Sequence, residues 1–305
     1  MIVDKRVRLW YILAESRWRL TAAVVWPSIV YLTWLALPPQ IPIPVTVPAL
    51  LGTVLSILMG FRTNSAYDRW WEARKVWGAI VNDSRSWARQ VFTFVGAPAD
   101  APTQGAALED LRRDLIYRQA AWNFALSHSL RKEDPLSDIS LFLSEEERAS
   151  LRDSKNVPAA LLDTQGARLR EMRARGDIDS IALLEMDQML TRLCDSMGMC
   201  ERIKNTVFPR TYAYLVKVAM AVFVILLPMS FVDVLGWMMI PVCFAVGGVF
   251  LSIENVAHHL QDPFENEETD TPMTALARTI EINLRQSLGE TELPEPIQPV
   301  GGVLM

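Results

Sequence analysis

The chain has 305 residues, of which 50% are hydrophobic and 21% are charged, and its formal net charge at pH 7 is −5. This weakly acidic balance provides no basic surface for nucleic acid, so we expect no nucleic-acid partner. The apolar residues are concentrated in two blocks, at about 20–61 and 211–253, with a charged segment between them. Such segregation is typical of a membrane protein and argues against a soluble domain.

Four segments have the length and apolar composition of membrane-spanning helices. They cover about 20–37, 43–61, 212–232 and 235–253, and we number them spans 1 to 4. A helix rises about 1.5 Å per residue, so a run of this length covers roughly 28 Å, close to the thickness of the hydrocarbon core. Lys217 lies near the start of span 3, where its long side chain can reach the interface.

Basic residues flank the four spans on one side only. They precede spans 1 and 3 and follow span 2, and they are Arg17, Arg19, Arg62, Arg69, Arg74, Lys75, Arg202, Lys204 and Arg210. The connections between spans 1 and 2 and between spans 3 and 4 contain no basic residue. Because positive charge near a span favours the cytoplasmic side, we expect both termini and residues 62–210 in the cytoplasm.

The segment between spans 2 and 3 has helical periodicity throughout. Apolar residues recur at helical spacing from Trp70 to Val91, so we expect the helix of span 2 to continue into the cytoplasm. Ser144 and Glu147 form a capping-box pattern at the start of a short helix. The predicted helices of this segment cover about 64–94, 108–129, 145–153, 158–174 and 180–205. No long run alternates as a strand would, so the predicted class is all-α.

These elements divide the chain into four parts. The first contains an N-terminal helix with spans 1 and 2 (1–61), and the second is a large helical cytoplasmic domain (62–210). Spans 3 and 4 follow (211–253), and a cytoplasmic acidic loop, a helix and a tail end the chain (254–305).

No motif in the sequence indicates catalysis. The phosphate-binding loop GxxxxGK[ST], the nucleophile elbow GxSxG, the zinc motif HExxH and the redox motif CxxC are all absent. The three cysteines, Cys194, Cys200 and Cys243, do not have the spacing of metal ligands. We therefore expect neither an enzyme nor a required cofactor.

One face of span 2 carries a regular stripe. Thr53, Ile57 and Phe61 lie at positions i, i+4 and i+8, so they stack on the same side of a helix. If several copies of the helix surrounded an axis, these residues would form three rings, two of them hydrophobic, and a hydrophobic constriction can gate by dewetting. Packing inside a helix bundle would also explain an apolar stripe, and both interpretations stay open.

An acidic segment follows span 4. Its carboxylates lie within nine positions and are Asp262, Glu265, Glu267, Glu268 and Asp270. Carboxylate and backbone carbonyl oxygens are the ligands that calcium prefers. A solvated acidic loop is the alternative interpretation.

Three segments together resemble the bestrophin family in its short prokaryotic form. They read GFRTNSAYDRWWEARKVWG (60–78), CERIKNTVFP (200–209) and LQDPFENEETDTP (260–272). The order of elements is also similar, and the resemblance extends over about residues 5–290. It implies a homopentamer around one axial pore in a bacterial inner membrane, with four transmembrane helices and a helical cytoplasmic domain in each subunit. Such a channel conducts small monovalent ions.

The resemblance also assigns pore residues. The three ring positions of span 2 correspond to the neck of the pore, where Thr53 replaces a larger apolar residue. A second constriction at the cytoplasmic exit corresponds to Ile178, with Ile181 as the alternative. Asp177 and Asp179 flank Ile178, and rings of their carboxylates would favour cations. Membership of the family would suggest chloride instead.

The acidic segment resembles the calcium-binding loop of eukaryotic members of the family. The matching side chains are Glu267 and Asp270, with backbone contributions expected from His259 and Asp262. The pattern is altered here, because Glu265 replaces a glycine and a threonine interrupts the run of aspartates. Ca²⁺ is a candidate ligand of this loop, but the altered pattern argues against calcium activation, so we expect that chelating calcium leaves the currents unchanged.

Two classes of function follow from these observations. The favoured one is a bestrophin-like ion channel subunit whose partners are its own copies, membrane lipids and monovalent ions. The alternative is a non-conducting membrane scaffold or sensor that signals through its cytoplasmic helices. Ion flux through liposomes distinguishes the two, because only a channel conducts.

Overall fold

The chain folds almost entirely into helices, which confirms the predicted all-α class. The computed structural model describes residues 1, 17–37, 43–96, 102–206 and 209–305, and the predicted N-terminal helix before residue 17 lies outside these ranges. Within the described ranges, extended pairing is limited to one isolated bridge between Val300 and Val303.

Nine helices are described, and their bounds follow in chain order. They are α1 (Arg17–Ala36), α2 (Thr46–Phe94), α3 (Ala106–Arg131), α4 (Glu145–Leu151), α5 (Val157–Arg175), α6 (Ser180–Asn205), α7 (Arg210–Leu235), α8 (Met239–Gln261) and α9 (Met273–Ser287). A 3₁₀ turn, Gly236–Met238, separates α7 from α8.

The described residues form two compact units, and helix α2 contributes to both. The first unit contains Met1 and residues 71–206 and 263–305. The second contains the described residues of 17–70 and 209–262, and we call it the apolar unit.

Two helical stretches of the described chain are long and apolar enough to cross a membrane. They are Thr46–Phe94 and Thr211–Gln261, with mean hydropathies of 1.4 and 2.4 over their most apolar windows. The second stretch is a hairpin of α7 and α8, because the rings of Phe223 and Phe250 meet with centroids 5.1 Å apart. Helix α1 contributes a shorter apolar segment, Thr21–Ala36.

Hydrogen bonds fix the relative directions of α1 and α7. Trp26 Nε1 donates to the carbonyl oxygen of Ile225 at 3.2 Å, and Trp34 Nε1 donates to Asp233 Oδ1 at 2.7 Å. Because both contacts advance by eight residues along each helix, α1 and α7 run parallel.

Helix α2 runs in the opposite direction beside α7. Tyr212 Oη donates to the carbonyl oxygen of Leu58 at 2.8 Å, and a Cβ at Gly52 would lie only 3.1 Å from the ring of Phe223. The absence of a side chain at Gly52 allows this close approach, because an added Cβ would displace the ring by a few tenths of an ångström. These directions are the ones that four alternating membrane crossings would produce.

The first unit is built around a core of aromatic and aliphatic side chains. Helix α3 contacts α5, α6 and α9, and α5 contacts α6. Trp77 and Trp87 of α2 and Trp122 of α3 are fully buried in this core. The predicted capping box begins α4, where the side chain of Ser144 accepts a hydrogen bond from the backbone N–H of Glu147 at 3.2 Å.

Candidate functional site

Helix α2 exposes the three residues that the sequence predicts for the pore neck. Ile57 is 56% exposed and Phe61 is 65% exposed, and Thr53, about one helical turn before Ile57, is also exposed. Leu55 and Met59 on the other side of the helix are buried among the residues of α7 and α8. An exposed apolar surface of this kind marks a site of interaction with another protein chain or with the membrane. We call this side of α2, which carries Thr53, Ile57 and Phe61, the neck face.

The hydroxyl of Thr53 is already engaged within its own helix. Its Oγ1 donates to the carbonyl oxygen of Ala49 at 3.0 Å, which is the usual bond of a threonine inside a membrane helix. The oxygen can still accept a hydrogen bond from water. Thr53 is therefore the most polar of the three positions, although none of them carries a charge.

Two arginines close to the neck face are turned away from it. Arg62 Nη2 forms an ion pair with Glu254 Oε1 at 3.1 Å, with both side chains 3% exposed, and Arg62 Nη1 donates to the carbonyl oxygen of Ala213 at 3.4 Å. Arg69 Nε donates to the carbonyl oxygen of Gln261 at 2.8 Å. The first pair ties α2 to α8 in the buried part of the apolar unit.

The pair of Arg62 and Glu254 was not predicted, although the sequence contains a signal for it. Arg62 directly follows span 2 and Glu254 directly follows span 4. Two spans that cross in the same direction end at the same membrane surface, so residues of opposite charge at those two positions are candidates for a pair.

Ion pairs also join the three segments that carry the family resemblance. In the first unit, Glu72 of the segment 60–78 pairs with Arg202 of the segment 200–209. Lys204 Nζ of the same segment contacts Glu265 Oε1 of the acidic segment at 2.7 Å. These charged motif residues therefore act in the fold, where they hold α2, α6 and the acidic segment together.

The structure contradicts the prediction that Ile178 lines a cytoplasmic exit. Ile178 is 1% exposed and belongs to the core of the first unit, so its side chain cannot face a pore in this fold. The alternative residue, Ile181, lies in the first turn of α6 and is 73% exposed. Ile181 is therefore the residue that can form this constriction.

The two aspartates beside Ile178 differ in their exposure. Asp177 is fully buried, where Oδ2 accepts from Arg175 Nε at 2.9 Å and Oδ1 accepts from the backbone N–H of Thr103 at 3.2 Å. Asp179 caps α6, and its Oδ1 accepts from the backbone N–H of Ala182 at 2.7 Å. Both carboxylates stabilise the loop before α6, and the burial of Asp177 excludes it from a pore lining. Asp179 is exposed, so an acidic ring at Asp179 stays a prediction.

The predicted calcium ligands lie in and next to the acidic segment, where they are not gathered into a cluster of three or more side chains. Within the described ranges, no group of three or more His, Cys, Asp or Glu side chains could hold a metal ion. Asp270 Oδ2 accepts from the backbone N–H of Glu267 at 3.1 Å. The pKa of Arg131, which lies near Asp270, is lowered by burial, and the carboxylates of Glu133 and Asp270 oppose this decrease only in part. A calcium site built from two carboxylates and backbone carbonyls therefore stays a prediction, and its candidate donors are Glu267, Asp270, His259 and Asp262.

Similar proteins place the chain in one family. A family model described as "Bacterial/Fungal Bestrophin protein" matches residues 9–286. A voltage-dependent anion channel-forming protein of Ralstonia nicotianae is 32% identical over 264 residues, which cover 87% of this chain and 83% of the relative. The voltage-dependent anion channel-forming protein YneE of Escherichia coli K12 is 30% identical over 251 residues, which cover 82% of this chain and 79% of YneE.

A solved structure agrees with these relatives. The crystal structure of a bacterial bestrophin homologue from Klebsiella pneumoniae superposes with a TM-score of 0.82 at 30% sequence identity. The superposition covers 90% of this chain and 99% of that one. The family model, the relatives and the fold lead to one conclusion: the chain belongs to the bestrophin family, a family of membrane ion channels.

Proposed function

We propose that the chain is one subunit of a homopentameric channel in a bacterial inner membrane, with the neck face of α2 lining the pore. The observation that carries this proposal is the exposure of Thr53, Ile57 and Phe61 on one side of a helix whose other side is buried. At about 1.5 Å per residue, these three positions span about 12 Å of the pore axis. That length suits a narrow neck inside a bilayer.

The neck is proposed to work as a hydrophobic gate. Rings of Ile57 and Phe61 cannot replace the hydration shell of an ion, so a narrow neck dewets and stops conduction until it widens. Because the three neck positions are uncharged, the neck itself does not distinguish cations from anions. The sign of the permeant ion must be determined by charges elsewhere along the pore.

We place the second constriction at Ile181. The Ile181→Ala variant should keep the stability of the parent, because the side chain is largely exposed, and should change the conductance by widening the exit. The matched Ile178→Ala variant should lose about 2–5 kcal/mol of stability, because it leaves a cavity in the core. Thermal unfolding in detergent and single-channel recording measure the two effects. Unchanged conductance in Ile181→Ala would remove this residue from the pore.

The proposed topology places both termini and the first unit in the cytoplasm. The support is the one-sided distribution of basic residues around the spans, together with the parallel packing of α1 on α7 and the antiparallel packing of α2. In this topology the protein contacts membrane lipids and passes small monovalent ions, and it catalyses no reaction.

The test combines stoichiometry with ion flux. Purified protein, cross-linked in detergent, should migrate as a pentamer, and in a planar bilayer with a several-fold KCl gradient it should carry a current whose reversal potential gives the selectivity. Adding a calcium chelator should leave the current unchanged. Well-assembled protein without current would favour the scaffold or sensor, and a reversible loss of current on chelation would show that calcium is required.

A further inference from the structure

The neck face continues beyond Phe61 and becomes polar. At 100° per residue, Asn64 lies about 20° to one side of Ile57 around the helix axis, and Asp68 lies about 20° to the other side. Both side chains are exposed. Asp68 is about 10 Å further along the axis than Phe61, at about 1.5 Å per residue. The helix surface that carries the hydrophobic neck therefore carries a carboxylate just past its inner end.

Asp68 is the one charged residue of this part of α2 that is directed along the neck face. The charged residues between positions 50 and 70 are Arg62, Asp68 and Arg69. Arg62 is buried in its pair with Glu254, and Arg69 donates to the carbonyl oxygen of Gln261. Asp68 makes no hydrogen bond and no ion pair with the part of the chain that the structure describes. The described residues of its own subunit therefore leave the charge of this carboxylate uncompensated.

We propose that Asp68 determines the ion selectivity of the channel, as a ring of carboxylates at the inner end of the neck that favours cations. This inference rests on the proposed pentameric pore. Charges of one sign inside a cleft with low-dielectric walls focus the electric field and raise the local concentration of counter-ions by about tenfold or more. The contacts of Arg62 and Arg69 matter equally, because they keep both guanidinium groups off the neck face, so that residues 50–70 place no positive charge on this face beside the ring.

The substitution Asp68→Asn tests this proposal. The potassium-to-chloride permeability ratio, taken from the reversal potential in a KCl gradient, should fall roughly tenfold relative to the parent. Asp68→Glu keeps the charge and should keep the ratio. Asp110→Asn is the matched control, because Asp110 is an exposed aspartate of α3 that makes no hydrogen bond or ion pair with described residues. It should leave the ratio unchanged.

The outcomes separate this inference from the proposed channel. If the parent and Asp68→Asn conduct with the same permeability ratio, the inference is wrong, although the proposed channel function is unaffected. A parent that selects chloride has the same meaning. A parent that carries no current would overturn both. If Asp68→Asn does not assemble as a pentamer, the inference is tested on the parent protein at several ionic strengths. The cation preference of the parent should fall as ionic strength rises, because salt screens an exposed ring of carboxylates. A preference independent of ionic strength would contradict the assignment.

Discussion

Replacing Glu254 by alanine should destabilise the apolar unit by about 3–5 kcal/mol, the typical cost of leaving one partner of a buried ion pair alone. The guanidinium of Arg62 would stay at a site where it is 3% exposed and would lose the carboxylate that lies 3.1 Å from it. Thermal unfolding in detergent, followed by size-exclusion chromatography, measures the loss. We expect the variant to aggregate well below the melting temperature of the parent.

Two controls identify the cause. Glu145→Ala removes a carboxylate from the exposed pairs with Arg148 and Arg152 on α4, and it should change stability by less than about 1 kcal/mol. Replacing both Arg62 and Glu254 by methionine should recover most of the loss, because no unpaired charge then remains buried. A Glu254→Ala variant as stable as the parent would show that this pair does not hold α2 against α8.

The double substitution Ile57→Ala and Phe61→Ala should raise the open probability of the channel by about tenfold or more. A tenfold change corresponds to only about 1.4 kcal/mol of gating free energy. Transferring either of these two side chains between water and an apolar environment changes its free energy by about 1.5–3 kcal/mol. Smaller side chains widen the two hydrophobic rings and allow water to stay in the neck. Single-channel recording in a planar bilayer gives the open probability directly.

The buried side of the same helix segment provides the control for the neck. Leu55→Ala and Met59→Ala remove comparable apolar volume, but both side chains pack within the apolar unit. Each should cost about 2–5 kcal/mol of stability and should not raise the open probability of the protein that still assembles. If the double variant at Ile57 and Phe61 assembles and conducts like the parent, these two rings do not gate the channel.

Helical periodicity and capping residues were sufficient to predict most of the helices. The predicted helix at 180–205 agrees with α6, Ser180–Asn205, because Asp179 caps its first turn. The continuation of span 2 into a long helix is confirmed by α2, Thr46–Phe94. Both features depend on local interactions, which a single sequence contains.

The exit residue could not be chosen from the sequence alone. Ile178 precedes the cap of α6 and lies in a loop, where no periodicity indicates which side chain is buried. Asp177 shows the same limit for charge, because the backbone N–H of Thr103, 74 positions away, meets its carboxylate only in the folded chain. The composition of the acidic segment likewise does not predict that Lys204 pairs with one of its carboxylates, Glu265.

The ribosome synthesises Arg62 well before its partner Glu254. The two residues are 192 positions apart in the sequence. At about 5–20 residues per second, a ribosome adds Glu254 roughly 10–40 s after Arg62. In the proposed topology, Arg62 can act during that interval as a topogenic signal that retains the end of span 2 in the cytoplasm. Once span 4 is inserted, the same guanidinium is neutralised and buried, so one residue first orients a helix and later anchors it.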